Sequence, residues 1–211
     1  MSRLWLLDFD GTLVDSEKAI KACYLKVGLE LVSERYNFIE NMVIGPTLDE
    51  SSRMILTDKN LHLLEVFKKR FIELYDENLV FDTTQYPHVE KTLEQIHSLG
   101  DHLCIVTNKR AYPTYKLIDY YGWHHLFEWV ACMDEYPSAQ NKSELISLKN
   151  IDKNQYDKIF FVGDTVSDGE TSNICGFKFI RANYGYGKKQ DWKNIKIFKE
   201  INDIQELIIT Y

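Results

Sequence analysis

Short apolar runs at residues 4–7, 102–106, 127–132, 159–162 and 177–180 alternate with longer helix-like stretches, the pattern of a doubly wound α/β fold. These runs are rich in β-branched and aromatic residues, as strands covered on both faces are. A weaker run at 195–198 and a helix from about Asn202 close the alternation. Between Ser16 and Thr84 it stops. There Ile20, Cys23, Tyr24, Val27 and Leu31, then Leu64, Phe67, Phe71, Leu74 and Tyr75, follow helical stripes. Ordinary core-packed helices would carry the same stripes, but an all-helical block inside a βα series reads better as an inserted cap. The expectation is an α/β doubly wound, Rossmann-like parallel sheet from residues 1–15 and 83–211, with an all-helical cap at 16–82.

Two of the runs end in paired aspartates. The first leads into Asp8-Phe9-Asp10-Gly11-Thr12. Side chains alternate along a strand, so Asp8 and Asp10 would leave on one side and Phe9 on the other. A turn in which Asp10-Gly11-Thr12 merely caps the next segment is the plainer alternative. Residues 159–162 lead into Gly163-Asp164-Thr165-Val166-Ser167-Asp168. A helix beginning after Asp164 would put Asp168 about one turn on, facing back toward the strand end. Either aspartate could instead be only an N-cap. The two strand ends fit together as one site, because open α/β sheets bind ligands at the carboxyl ends of their strands.

Charge then defines the partner. Two like charges about 4 Å apart repel by roughly 4 kcal/mol at an effective dielectric near 20. Either some of these carboxyls stay protonated, or a hard divalent cation sits among them. Oxygen donors without neighbouring His or Cys favour Mg²⁺, which readily shares its shell with phosphate oxygens. The substrate class this suggests is a small phosphorylated metabolite. Donors for its phosphate would come from Thr107-Asn108-Lys109-Arg110, after the run at 102–106, and from Lys142 at the head of another amphipathic stretch. Singly, each is weak: Thr-Asn before a helix is usually a cap, and a lone lysine is usually solvated.

In this order the four segments resemble the haloacid-dehalogenase-like superfamily, in particular its phosphoglycolate-phosphatase-like subgroup with a helical cap. The matching pieces are 8–16, Thr107-Asn108-Lys109, Lys142, and Gly163-Asp164-Thr165-Val166-Ser167-Asp168. Tyr86 to Gly100 and Cys175 to Ile180 extend the resemblance to most of the chain, most weakly between Ser16 and Thr84. Ser143 stands where proline usually follows the lysine, and Thr171 and Ser172 replace small apolar residues. Neither departure removes a chemical group.

The resemblance implies a Mg²⁺-dependent phosphatase working through an aspartyl-phosphate. Asp8 would be the nucleophile, and Asp10 would protonate the leaving alkoxide and then activate water. Mg²⁺ would sit on Asp8, the Asp10 main-chain carbonyl and Asp164. Thr107, the Asn108 N–H and Lys142 would hold the phosphoryl oxygens. Asp168 would orient Lys142 or a metal-bound water, with Gly11, Thr12, Gly163 and Thr165 shaping the two turns. A phosphomutase on the same core, a phosphonoacetaldehyde-type hydrolase using a cap lysine, and a non-catalytic binding or regulatory protein are the other readings. A dehalogenase fits poorly, since it has no alkoxide for a second aspartate to protonate.

With 211 residues, 45% of them hydrophobic, the chain can bury a sizeable core. A net charge of −7 without a basic run argues against nucleic acid as partner. The apolar run at 4–7 is too short for a signal sequence and no stretch has the length of a membrane span, so a cytoplasmic protein is expected. The four cysteines, Cys23, Cys104, Cys132 and Cys175, lack metal-site spacing and read as reduced thiols. His124-His125 reads as a turn rather than a metal pair, and Tyr184-Gly185-Tyr186-Gly187 as a flexible turn near the site's rim. In the cap, Gly45-Pro46-Thr47 marks a loop, and Arg35, Arg53 or a lysine could meet a second substrate charge.

Overall fold

A computed structural model describes residues 2–209 of the chain; the expectations for Met1, Thr210 and Tyr211 lie outside them. By internal contacts, Ser16–Thr84 form one compact unit and the described residues on either side form another.

The chain enters the α/β unit with β1 (Ser2–Leu7) and leaves it after Asp15. In the helical unit, α1 (Glu17–Leu31), α2 (Tyr36–Asn41), α3 (Leu48–Asn60) and α4 (Leu64–Leu74) follow in turn. Back in the α/β unit come α5 (Val89–Ser98), β2 (His102–Thr107), α6 (Ala111–Tyr121) and β3 (Trp129–Cys132). Next are α7 (Lys142–Ser147), β4 (Tyr156–Gly163), α8 (Val166–Cys175), β5 (Lys178–Ala182), β6 (Ile197–Ile201) and α9 (Glu206–Ile209).

These six strands form one parallel sheet in the order β3-β2-β1-β4-β5-β6. The winding starts at β1, steps outward through β2 to β3, and then returns to lay β4 on the other side of β1. The reversal therefore falls between β1 and β4, where a doubly wound sheet opens a crevice at its carboxyl edge. Asp8 follows β1 and Asp164 follows β4, so register brings the two aspartates to the same edge: Leu7 pairs with Val162.

The strands alternate between two packed faces. Leu4 and Leu6 with Cys104, Val106, Ala131, Phe161 and Phe179 cover one face, against Leu145 and Ile146 of α7. Trp5 faces the other way and stacks on Phe160, ring centroids 4.5 Å apart. Its indole N–H donates to Asp101 Oδ2 (3.0 Å), which also receives Arg3 Nε (2.7 Å), so neither polar end is buried unpaired.

The helical unit has its own interior. Tyr24 of α1 packs on Phe71 of α4 at 4.4 Å between centroids, and Phe71 continues to Tyr75. Thr47 caps α3 through a reciprocal capping box with Glu50. Inside α3, Thr57 turns to φ 58, ψ 173 and interrupts the helical run. Arg35 donates to the nearby carbonyls of Met54 and Ile55, while Arg53 pairs with Asp49. Both arginines that the sequence offers for a substrate charge thus have partners inside the unit.

Among the described residues no helix is long and apolar enough to cross a membrane. None of the four cysteines, all among the described residues, forms a disulfide. His124 and His125 lie in a 3₁₀ turn, His124 against Asp119 and His125 against the Gly122 carbonyl.

Candidate active site

Three buried aspartates converge beyond the carboxyl ends of β1 and β4. One carboxylate oxygen each from Asp8, Asp164 and Asp168 lies within 4.8 Å of the others. Lys142 sits among them, its Nζ 2.6 Å from Asp8 Oδ1 and 2.6 Å from Asp168 Oδ1. Asn141 caps α7 by accepting from the Glu144 N–H, and Leu145 and Ile146 pin that helix to the sheet. That anchoring delivers the first residue of α7, Lys142, to the strand ends as a buried ammonium.

Each aspartate is oriented by its own turn. Asp168 is the third residue of α8 and closes a capping box with Thr165, whose N–H and hydroxyl donate to Asp168 Oδ2 (2.9 and 2.7 Å). The helix cap and the lysine clamp are therefore one residue, with one oxygen for each task. Asp164 Oδ1 takes the Thr12 hydroxyl at 3.4 Å, and its Oδ2 takes the Tyr186 N–H at 2.5 Å. Gly11, at φ +83, leaves the space that the Asp164 carboxylate fills, since a Cβ there would collide with it. Gly163 ends β4 in register with Arg181.

Asp10 stands apart from this cluster. Its carboxylate turns to Lys109, whose Nζ lies 2.9 and 3.1 Å from the two oxygens. Thr107, buried at the end of β2, accepts the Lys109 N–H (3.1 Å), and Asn108 lies between them in the turn. Lys109 falls within a segment that the sequence singles out, yet a lone lysine carries no sign that it will be buried.

The stretch Tyr184 to Gly187, expected as a flexible turn near the site's rim, is hydrogen-bonded to both aspartate turns. The Tyr184 hydroxyl donates to the Thr12 carbonyl (2.9 Å), Tyr186 N–H holds Asp164, and the Tyr186 hydroxyl donates to Asp15 (3.2 Å). A Cβ on Gly185 would collide with Asp164 Cβ and the Gly11 carbonyl oxygen. The segment is packed against both aspartate turns because β5 runs directly beside β4 and ends level with it. Gly185→Ala is expected to destabilise the protein by about 1–3 kcal/mol, the cost of overpacking a filled site. Urea unfolding checks this; wild-type stability would show that the close approach is not required.

Burial pushes the Asp8 carboxyl up to about 7; Asp168 adds to the rise and Lys142 opposes it. Burial, Asp168 and Asp8 hold Asp164 well above the carboxylate range. Burial also works against the charge on Lys142, but Asp168 and Asp8 raise its pKa. The cluster is thus short of positive charge: one ammonium faces three carboxyls. A hard cation fits this donor set, which is oxygen-only and holds neither His nor Cys.

The sequence profile of haloacid dehalogenase-like hydrolases matches residues 5–182. Among curated relatives, a phosphoglycolate phosphatase from Aquifex aeolicus is 31% identical over 190 residues, covering 88% of this chain and 87% of the relative. One from Psychrobacter arcticus is 24% identical over 216 residues, covering 98% of this chain and 94% of the relative. Among solved structures, a haloacid dehalogenase-like family hydrolase from Streptococcus pneumoniae superposes with a TM-score of 0.81 at 20% identity, covering 99% of this chain and 97% of that one. The profile spans both aspartate turns and the lysine between them, and with the Aquifex relative it establishes that the chain is an enzyme belonging to the haloacid dehalogenase-like hydrolase family.

Proposed function

We propose that this enzyme hydrolyses small phosphomonoesters, with 2-phosphoglycolate the first substrate to try, through a phosphorylated Asp8. The observation that carries this reading is the buried triangle of Asp8, Asp164 and Asp168 clamped by Lys142 at the sheet's switch point. Asp8 leaves its strand toward the crevice with one oxygen held by Lys142, an orientation suited to in-line attack on phosphorus. Lys142, oriented in turn by Asp168, would hold an equatorial phosphoryl oxygen whose charge is spread in the transition state. The Thr107 hydroxyl and the Asn108 N–H would hold the others. Asp10 would give its proton to the leaving oxygen and later take one from water. Mg²⁺ held by Asp8, Asp164 and the Asp10 main-chain carbonyl would offset the repulsion between phosphate dianion and carboxylate. The helical insert supports a role as a cap that sets substrate preference.

The direct test is phosphate release from a panel of esters that includes 2-phosphoglycolate, with Mg²⁺ present and then removed. Turnover should require Mg²⁺ and disappear with EDTA. Indifference to EDTA sinks the assignment.

A second consequence is thermodynamic. The Asp8 carboxyl moves from an ordinary 3.8 to about 7 on folding, and Asp164 rises too. At these two carboxyls the folded, ion-free protein keeps protons that the unfolded chain loses above about pH 4, so their contribution to stability falls as pH rises from about 4 through about 7. Mg²⁺ opposes that loss, because it favours the ionised carboxylates. Thermal melts should show a larger Mg²⁺-induced rise in Tm at pH 8 than at pH 5. An equal or reversed difference counts against these carboxyls as the metal site.

A further inference from the structure

We infer that Lys109 is a positioning residue for Asp10, fixing the direction from which this carboxyl serves the leaving group; the inference rests on the catalytic reading just given. The two active-site lysines divide the aspartates between them. Lys142 grips Asp8 and Asp168, while Lys109 meets both oxygens of Asp10 at 2.9 and 3.1 Å. Both side chains of the second pair are withdrawn from water, at 5% exposure for Lys109 and 12% for Asp10.

Geometry gives the pair its effect. Asp10 sits in the turn after β1, where the Gly11 N–H donates to the Val14 carbonyl (2.8 Å) and fixes the backbone. The backbone alone does not set the Asp10 side-chain torsions. A near-symmetric contact from one ammonium to both carboxylate oxygens does, because rotating either torsion breaks one of the two bonds. Lys109 is itself fixed at the other end, where its N–H donates to the Thr107 hydroxyl at the close of β2. The leaving-group carboxyl is thus tied across two neighbouring strands, β1 and β2, rather than left on a loop.

A positioning role and a substrate-binding role differ in what they do to the kinetics. If Lys109 acts through Asp10, removing it costs only the steps that need a well-placed Asp10. If it binds phosphate or the rest of the substrate, removing it costs every substrate alike, with or without Asp10. Misplacing a reacting group by about 1 Å is worth on the order of 10²-fold.

The test is a cycle of Lys109→Met, Asp10→Asn and the double variant, reading single-turnover phosphorylation of Asp8. The substrates are 2-phosphoglycolate, or the best alkyl ester from the panel, and 4-nitrophenyl phosphate. Lys109→Met should lower the phosphorylation rate for the alkyl ester by about 10- to 10²-fold, lower it much less for the nitrophenyl ester, and leave KM near wild type. In the Asp10→Asn background the same substitution should change the rate by less than about 3-fold, near the error of such cycles. Lys109→Arg, which keeps the charge and donors, should recover part of the loss. Comparing Asp10→Asn with the double variant keeps the test readable even if Lys109→Met alone folds poorly, since the double variant removes both charges together. Equal losses for both esters, a raised KM, or a full effect of Lys109→Met on Asp10→Asn would overturn the inference. Failure of the underlying reading looks different: Asp8→Asn would then retain turnover, and the inference would fall with it.

Discussion

Asp8→Asn is expected to abolish phosphate release, by about 10⁴-fold or more, in a protein that stays folded. The amide matches the carboxylate in size but offers no anionic oxygen to attack phosphorus, so no phospho-enzyme can form. Stability should not suffer. In the ion-free protein burial already holds the Asp8 carboxyl up to about 7, so a neutral group is tolerated at this position. Removing one negative charge also relieves repulsion with Asp164 and Asp168, leaving Lys142 its contact with Asp168 (2.6 Å). The metal-free variant at pH 8 should therefore melt no lower than the wild type. Three measurements check this: phosphate release, acid-stable labelling of the protein by substrate, and the melting temperature. Turnover within tenfold of wild type would remove Asp8 as nucleophile. A collapsed Tm would mean that the charge serves the fold, contrary to the electrostatics of the cluster.

Much of this architecture was legible because its signals are local. Strands β1 to β5 each carry a buried apolar run, whereas β6 buries only Ile201, and the aspartates mark where β1 and β4 stop. What local pattern missed was set by neighbours. Strand β4 begins at Tyr156, well before its apolar run, because polar residues there still pair with β1, Arg3 against Lys158. Strand β3 begins at Trp129 rather than residue 127. The interruption at Thr57 carries no Gly or Pro signal. Asp168 was ambiguous in sequence between cap and clamp, and the structure gives it both contacts. The contacts made by Lys109 and by the Tyr184–Gly187 segment were hidden for a common reason. Their partners, Asp10, Thr12 and Asp164, are far away in the chain and become neighbours only through strand order.

Asp10→Asn separates proton transfer from attack. The amide keeps size and polarity, and it can still accept from Lys109 Nζ through its carbonyl oxygen, so the turn after β1 should hold its shape. What it cannot do is transfer a proton. For an alkyl ester the departing alkoxide is a strong base, and loss of a general acid should lower phospho-enzyme formation by roughly 10²–10⁴-fold. Nitrophenolate leaves readily without protonation, so the same variant should phosphorylate Asp8 from 4-nitrophenyl phosphate with a much smaller loss. The second half-reaction reverses the pattern. Water must still be deprotonated to clear the intermediate, so the variant should accumulate phosphorylated Asp8 from the nitrophenyl ester. A burst of nitrophenolate equal to the enzyme concentration, followed by slow turnover, is the expected trace. Equal losses in the first step for both esters would mean that Asp10 positions or charges the site rather than carrying the proton. A missing burst, with the first step shown to be fast, would mean that water is activated by a different group.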